Sequence, residues 1–311
     1  MTYLVTGGAG FIGSHLVNTL LAQQQRVIVI DDFSLGKEEY LPKNNELLTV
    51  VKRSVCDDIS DVFTKQDIDV VFHLAAIPNV QFSIDYPTKT HQVNVNGVLN
   101  ILEACKQSKV RRLVFVSSAS VYGNANTTPF KEDMPPYPMS PYALHKLIGE
   151  QYAKLFNELY NVQTVSLRYF NVFGPRQNPE RNYGFFIPKF ITLISKNIQP
   201  TIYGDGKQTR DFIYISDVVA ATIKAADLTN TQCLGQTINI ASGQALSVNE
   251  VTDKILALRN SSFTPLFGPS VVEQRDSVAD ISKAAQLLGW QPEQSFDEGL
   301  KQTYDYFVSL P

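Results

Sequence analysis

The chain has 311 residues, 44% hydrophobic and 18% charged, an ordinary globular composition long enough to bury a full core in one large or two closely joined domains. Its formal net charge of -3 leaves no basic surplus for a phosphate backbone, which argues against nucleic acid as a partner and requires local positive groups for any anionic ligand. Cys56, Cys105 and Cys233 are too few and too scattered for a disulfide framework or a zinc site, and they suit a reducing compartment. Met-Thr-Tyr-Leu-Val-Thr enters a glycine turn with no basic stretch or long apolar segment before it, and no later apolar run reaches spanning length. The expectation is a soluble, cytoplasmic protein with no membrane partner and no metal.

In chain order, strand patterns are predicted over residues 3–6, 26–30, 70–74 and 112–116, with helical patterns over 11–22, 93–107 and 141–159. Further strands are predicted at 163–170 and 236–241. This alternation predicts βαβ units and an α/β fold, a Rossmann-type doubly wound parallel sheet with helices on both faces. From about Gly174 to Asp211 the character changes: Pro175, Pro179, Pro188 and Pro200 interrupt the pattern and aromatics gather at 183–186. A smaller C-terminal substrate lobe interleaved with the sheet is therefore expected. The division is 1–173, with 212–241 returning to it, against 174–211 and 242–311, where helices are predicted near 247–258 and 282–288.

Gly7, Gly10 and Gly13 follow the first strand and, with Phe11 and Ile12, open a helix. Without a Cβ these positions permit a tight turn, approach of a pyrophosphate and close helix–strand packing. The plain alternative is a strand-to-helix turn with no ligand. Asp31 ends the second strand, where a carboxylate accepts both ribose hydroxyls and repels a 2′-phosphate, which favours NAD over NADP. Asp32 follows it as a further candidate, or as a loop cap. Leu74, Ala75 and Ala76 are small enough to lie against a cofactor, Asn94 begins a helix whose amide reaches it, and His73 reads as a core histidine. Tyr142 and Lys146 are four apart on a predicted helix and share a face, so the ammonium favours the ionised phenol. A phenol titrating near pH ~10 must lose about three units to act as a base at neutrality, roughly 4 kcal/mol.

These motifs resemble the extended short-chain dehydrogenase/reductase family, in particular its nucleotide-sugar 4-epimerases. The resemblance spans nearly the whole chain. It is carried by the glycine turn, Asp31, residues 73–76, Asn-Val-Asn-Gly at 94–97, residues 117–123, Tyr142 with Lys146, Leu-Arg-Tyr-Phe-Asn-Val-Phe-Gly at 167–174, Tyr-Gly-Asp-Gly at 203–206 and Arg210-Asp211-Phe212. It implies that Tyr142 removes the proton of a sugar 4-hydroxyl while NAD takes the C4 hydride, with Ser118 on the same oxygen and Lys146 on the ribose hydroxyls. It also implies cofactor contacts from Ser54, Val55, Ser117 and Tyr169. For the substrate, a UDP-sugar, it implies Ser83, Ser120, Asn171, Phe185, Phe186, Tyr203, Arg210 and Ser277. A homodimer through the helices of 93–107 and 141–159 is implied as well.

Ala119 and Ser120 stand where the related 4,6-dehydratases resemble this chain but carry an acidic pair, and the glutamate usual in the decarboxylases is also missing at Ser120. The family commonly has an arginine where this chain reads Ser270-Val271-Val272-Glu273, and Arg275 is the substitute expected from the following turn. Ser277 matches the family position where a tyrosine restricts the pocket to plain hexoses and a smaller residue admits an N-acetyl group. The expected pair is UDP-N-acetylglucosamine and UDP-N-acetylgalactosamine, with UDP-glucose/UDP-galactose as a second activity. A UDP-uronic acid 4-epimerase, another oxidoreductase of this family and a non-catalytic NAD-binding scaffold or sensor stay open.

Overall fold

The computed structural model describes residues 1–125, 127–179, 186–259, 263–269 and 275–310. Its strands are β1 Thr2–Thr6, β2 Arg26–Asp31, β3 Leu48–Lys52, β4 Val70–His73, β5 Arg112–Ser118, β6 Thr164–Tyr169, β7 Asn171–Phe173, β8 Thr201–Tyr203, β9 Thr209–Tyr214, β10 Thr237–Ile240, β11 Ala245–Ser247 and β12 Leu266–Gly268. Its helices are α1 Phe11–Ala22, α2 Ser60–Lys65, α3 Val80–Asp85, α4 Pro87–His91, α5 Gly97–Gln107, α6 Pro141–Tyr160, α7 Phe186–Ser195, α8 Ile215–Ala225, α9 Val248–Arg259, α10 Ser282–Leu288 and α11 Phe296–Ser309.

Seven strands form one parallel sheet in the order β10-β6-β5-β4-β1-β2-β3. Both faces are covered because neighbouring residues on a strand point to opposite sides. Val5, Val29 and Phe72 belong to one core cluster, while Leu4, Ile28 and Val71 belong to the other. Chain order reverses between β1 and β4, which opens a crevice at the carboxyl ends of these two strands. Every cofactor candidate from Gly7 to Ala76 lies on or near the ends of the strands around it.

The smaller C-terminal lobe carries a three-stranded sheet, β11-β9-β7, and a two-stranded one, β12-β8. It shares its core with the main sheet: Phe190, Ile191, Ile255 and Leu256 pack in the same cluster as Val5 and Leu167. Among the described residues no helix is long and apolar enough to cross a membrane.

Several elements were not predicted. β3 is an edge strand whose residues, Leu48, Thr49, Val50, Val51 and Lys52, are all partly or fully exposed. α7 forms despite Pro188, which is the third residue of the helix, where a backbone N–H has no intrahelical acceptor to lose. α8 and α11 were also missed, although Ser295 and Glu298 make a capping box that marks the start of α11: the serine hydroxyl accepts from Glu298 N–H at 3.3 Å and donates to its carboxylate at 2.6 Å. The helix predicted from residue 93 starts earlier, at Pro87, and passes through a π-helical turn at Gln92–Asn96 before α5.

Candidate active site

The glycine turn is built for close approach. Gly7 has φ +69°, in the left-handed region, and a Cβ there would sit 2.9 Å from Ala75 N. Gly10 caps α1 with no side-chain hydrogen bond, and the first turn of the helix holds no acidic residue. The amides of Phe11, Ile12 and Gly13 therefore head a helix whose positive end suits a diphosphate. Asp31, at the end of β2, accepts from Ala9 N–H at 2.9 Å and Phe33 N–H at 2.8 Å, so it braces the turn as well as facing the crevice rim. Burial raises its pKa, opposed by those two hydrogen bonds. Asp32 is exposed and takes the backbone and hydroxyl of Ser34.

Around the far side of the crevice, the π-helical turn aims Asn94 inward. Its amide closes on both backbone groups of Ile77, accepting at 2.7 Å and donating at 3.0 Å, and so shapes the chain after Leu74, Ala75 and Ala76. Val55 is buried beneath Gly97, where a Cβ would come within 2.6 Å of its methyl. Ser54 turns its hydroxyl to Cys56 N–H at 3.2 Å.

Tyr142 is fixed by the start of α6. Ser140 caps the helix, accepting from Ala143 N–H at 3.2 Å, and Pro141 presets its first turn. Ser83 contributes from α3: its hydroxyl accepts from Tyr142 N–H at 3.1 Å and donates to Val80 at 2.6 Å, so this predicted substrate contact is also a helix anchor. Ser118 ends β5, its hydroxyl accepting from Ser120 N–H at 3.2 Å and lying close enough to the Tyr142 phenol to pull its pKa down. Lys146, buried, donates to the Val116 carbonyl at 2.7 Å, with its ammonium 5.9 Å from the centre of the Tyr142 ring. Ser118, Tyr142 and Lys146 thus come together.

Charge in this pocket is scarce. Burial pushes the Tyr142 phenol up to about 12, against the pull of the Ser118 hydrogen bond. The predicted depression of the phenol by Lys146 is therefore not found in the protein alone, because the lysine is itself desolvated and its pKa lowered to about 8. An added positive charge is what this phenol requires. Behind the lysine, burial and the Lys146 charge hold His73 neutral, with its pKa lowered to about 3. Among the buried atoms without a partner are Ser120 Oγ, in the turn after β5, and His73 Nε2. The first suits a ligand contact.

With Lys146 near 8, turnover is expected to fall as pH rises through about 8, where the ammonium is lost. The stability contribution of this group has the opposite sign. The folded pKa lies below the unfolded one, so the unfolded chain binds more protons between about pH 8 and the ordinary lysine range, and folding is relatively favoured as pH rises there. A pH profile of turnover beside one of thermal stability checks both directions.

The remaining candidates divide. Ser117 and Tyr169 turn their hydroxyls into the protein, to Glu150 and to Thr222 at 2.5 Å respectively. Asn171 donates to the Asp211 carbonyl at 3.3 Å, and Phe186 packs edge-on against Phe190 and Phe212. Arg210 lies beside the carbonyls of Thr209, at 2.7 Å, and Arg275, at 3.4 Å. Arg275 forks onto Asp205 at 3.0 and 3.1 Å on the surface, and Tyr203 is half-exposed. Ser277 is buried between β9 and Phe130: Thr209 donates to Asp276 at 2.7 Å, and Phe130 N–H donates to Val278 at 2.8 Å. Phe185 and residues 270–273 lie outside the described residues.

Asp211, not predicted as a site residue, organises this side. Its buried carboxylate accepts from the amide and hydroxyl of Ser242, from Gly243 N–H and from Ala279 N–H, at 2.6 to 3.1 Å. It thereby joins β9 to the segment that carries Ser277. Its place in Arg210-Asp211-Phe212 was legible, but its partners are 31 to 68 residues away.

The sequence profile of the NAD dependent epimerase/dehydratase family matches residues 3–241. The chain is 36% identical over 312 residues to the UDP-glucose 4-epimerase of Mycolicibacterium smegmatis, covering 99% of this chain and 98% of that one. Among solved structures it is similar to the UDP-N-acetylglucosamine 4-epimerase of Methanobrevibacter ruminantium M1 in complex with UDP-N-acetylmuramic acid, with TM-score 0.94, 38% identity and coverage of 99% and 98%. It is also similar to the UDP-glucuronic acid 4-epimerase of Bacillus cereus in complex with UDP-glucuronic acid and NAD, with TM-score 0.91, 36% identity and 99% of each chain covered. With the glycine turn, the β1/β4 crevice and the Ser118, Tyr142 and Lys146 group already in place, this chain belongs to the NAD dependent epimerase/dehydratase family.

Proposed function

We propose that this protein is an NAD-dependent nucleotide-sugar 4-epimerase that interconverts UDP-N-acetylglucosamine and UDP-N-acetylgalactosamine, with UDP-glucose/UDP-galactose as a second activity. The observation that carries the reading is the buried Tyr142 at the start of α6 with the Lys146 ammonium, anchored on the Val116 carbonyl, 5.9 Å from the centre of its ring, and Ser118 at the adjoining end of β5. Gly7, Gly10, Phe11, Ile12, Gly13 and Asp31 would hold NAD, and the uncapped α1 terminus and the close-approach glycines fit it. Bound there, NAD would supply the hydride chemistry at C4 and a positive charge in the pocket.

Tyr142 takes the proton of the C4 hydroxyl and gives it back, while Ser118 hydrogen-bonds the same oxygen. The pocket would have to let the 4-keto sugar present its other face, so that the reaction leaves no net redox change. Ala119 and Ser120 offer no acid–base pair for a dehydration, which favours epimerisation over that family chemistry. Buried Ser277 favours the N-acetyl sugar because a pocket residue of this kind selects by exclusion.

Purified protein given UDP-N-acetylglucosamine without added NAD is expected to form the axial C4 product, read by proton NMR. Conversion of UDP-glucuronic acid instead, or no product from any UDP-sugar, would sink the assignment. Ser277→Tyr is expected to lower conversion of the N-acetyl sugar at least about tenfold and to spare UDP-glucose. Equal loss on both would mean that residue 277 does not gate the pocket.

A cytoplasmic homodimer belongs to the same proposal. Leu144, Leu155 and Leu159, eleven and four residues apart on α6, leave an exposed apolar stripe of the kind a helix pair buries.

A further inference from the structure

The end of β5 meets α6 through three consecutive residues. Lys146 donates to the Val116 carbonyl at 2.7 Å, the Ser117 hydroxyl donates to Glu150, and the Ser118 hydroxyl meets the Tyr142 phenol. Their partners at 142, 146 and 150 are spaced by four along one face of the helix. The middle contact is braced from β6. Arg168 donates through Nε to Glu150 Oε1 at 2.9 Å and through Nη2 to Oε2 at 2.7 Å. Its guanidinium lies 4.7 Å from the centre of the Tyr122 ring, and the Tyr122 hydroxyl donates to Asn239 on β10 at 2.7 Å.

The side chains of Arg168 and Glu150 are only 5% and 2% exposed. A buried ion pair is seldom worth more to stability than apolar side chains of the same volume, because both charges are desolvated. What a two-bond fork does supply is a set distance and angle. The site it sets is the strand end that carries Ser118 and receives Lys146.

We propose that Glu150, held by Arg168 and Ser117, is a positioning residue for the reaction: it sets the register of β5 against α6 and places a negative charge one helical turn from the Lys146 ammonium. This inference rests on the assignment of Tyr142 and Lys146 in the proposed function. The titratable groups facing Lys146 are Tyr142, His145 and Glu150 on α6 and His73 on β4, with His91 against His145 from α4. Burial lowers the lysine, and Glu150 is the charge that raises it. Both histidines nearest the lysine are held well below neutrality, at about 3 for His73 and about 4 for His145, so neither changes charge around pH 8.

The test uses the full chain with its cofactor. Glu150→Gln combined with Arg168→Met removes both charges and leaves neither unpaired. NMR titration of isotope-labelled lysine is expected to show the Lys146 midpoint lowered by about half a pH unit or more, and the alkaline limb of turnover on UDP-N-acetylglucosamine moving with it. Glu150→Asp, which keeps the charge, is expected to restore the midpoint. Ser117→Ala keeps the charge and loses one strand contact; kcat is expected to fall about fivefold with KM unchanged. A folded double variant whose Lys146 titrates as in the wild type overturns the charge role, and wild-type kcat in Ser117→Ala overturns the register role. If the double variant does not fold, Glu150→Gln in the presence of intact Arg168 is titrated in its place with the same two outcomes, and Ser117→Ala decides the register role unaided. Inactive wild-type protein, or an active Tyr142→Phe, would strike the underlying assignment instead, and the NMR titration reads independently of both.

Discussion

Tyr142→Phe is expected to lower turnover about a thousandfold while the protein stays folded and retains NAD. The substitution removes one oxygen and leaves a ring of the same shape in the same buried position. On the structural side it deletes one hydroxyl beside Ser118, a loss of about 1 kcal/mol at most, or a few degrees in melting temperature for a chain of this length. On the chemical side it deletes the group that, in the proposed mechanism, carries the C4 hydroxyl proton. His73 and His145 are held neutral by burial, and Ser118 is an alcohol with no base of its own. Turnover by proton NMR, NAD content after denaturation and a melting curve separate the two effects. Wild-type turnover in this variant would place the proton transfer elsewhere.

Gly13→Ala is expected to empty the protein of NAD and to destabilise it by about 1–3 kcal/mol. The added Cβ would lie 2.1 Å from Gly7 O and 2.9 Å from Gly7 C and Gly8 Cα. All three are backbone atoms, so no change of rotamer relieves the clash. α1 has to move away from β1, and the amides at its start lose the positions that face the crevice. Gly10→Ala is the control, since its Cβ would meet only Gly7 O, at 3.2 Å. That variant is expected to melt close to the wild type, so a fall in its NAD affinity reports on the ligand side of the turn. Retained NAD and an unchanged melting curve in Gly13→Ala would show that the turn tolerates a side chain there.

Much of the main sheet was legible because its signals are local. The apolar runs of β1, β2, β4, β5 and β6 are short, β-branched and followed by helices, and Gly7, Gly10 and Gly13 stand where a parallel sheet meets its first helix. The smaller lobe was less legible. Prolines obscured α7, although a proline in the first helical turn costs nothing there.

At the site, residue types and spacing named Tyr142 and Lys146, and the family resemblance added Ser118, without any knowledge of their surroundings. Helical spacing also suggested that the lysine would depress the tyrosine. The structure reverses the sign, because both groups are buried together and desolvation outweighs their proximity.

The linear order of residues was therefore enough for the parallel α/β scaffold, the glycine turn and the one-turn spacing of Tyr142 and Lys146, since each depends on neighbours within a few positions. Only the folded chain decided that Asp211 ties Ser242, Gly243 and Ala279 together, and that Glu150 is clasped by Ser117 and Arg168 from two different strands. Those pairings join residues 18 to 68 positions apart, and no periodicity encodes them. They exist because closing the sheet removes water from these polar groups and leaves them only one another as partners.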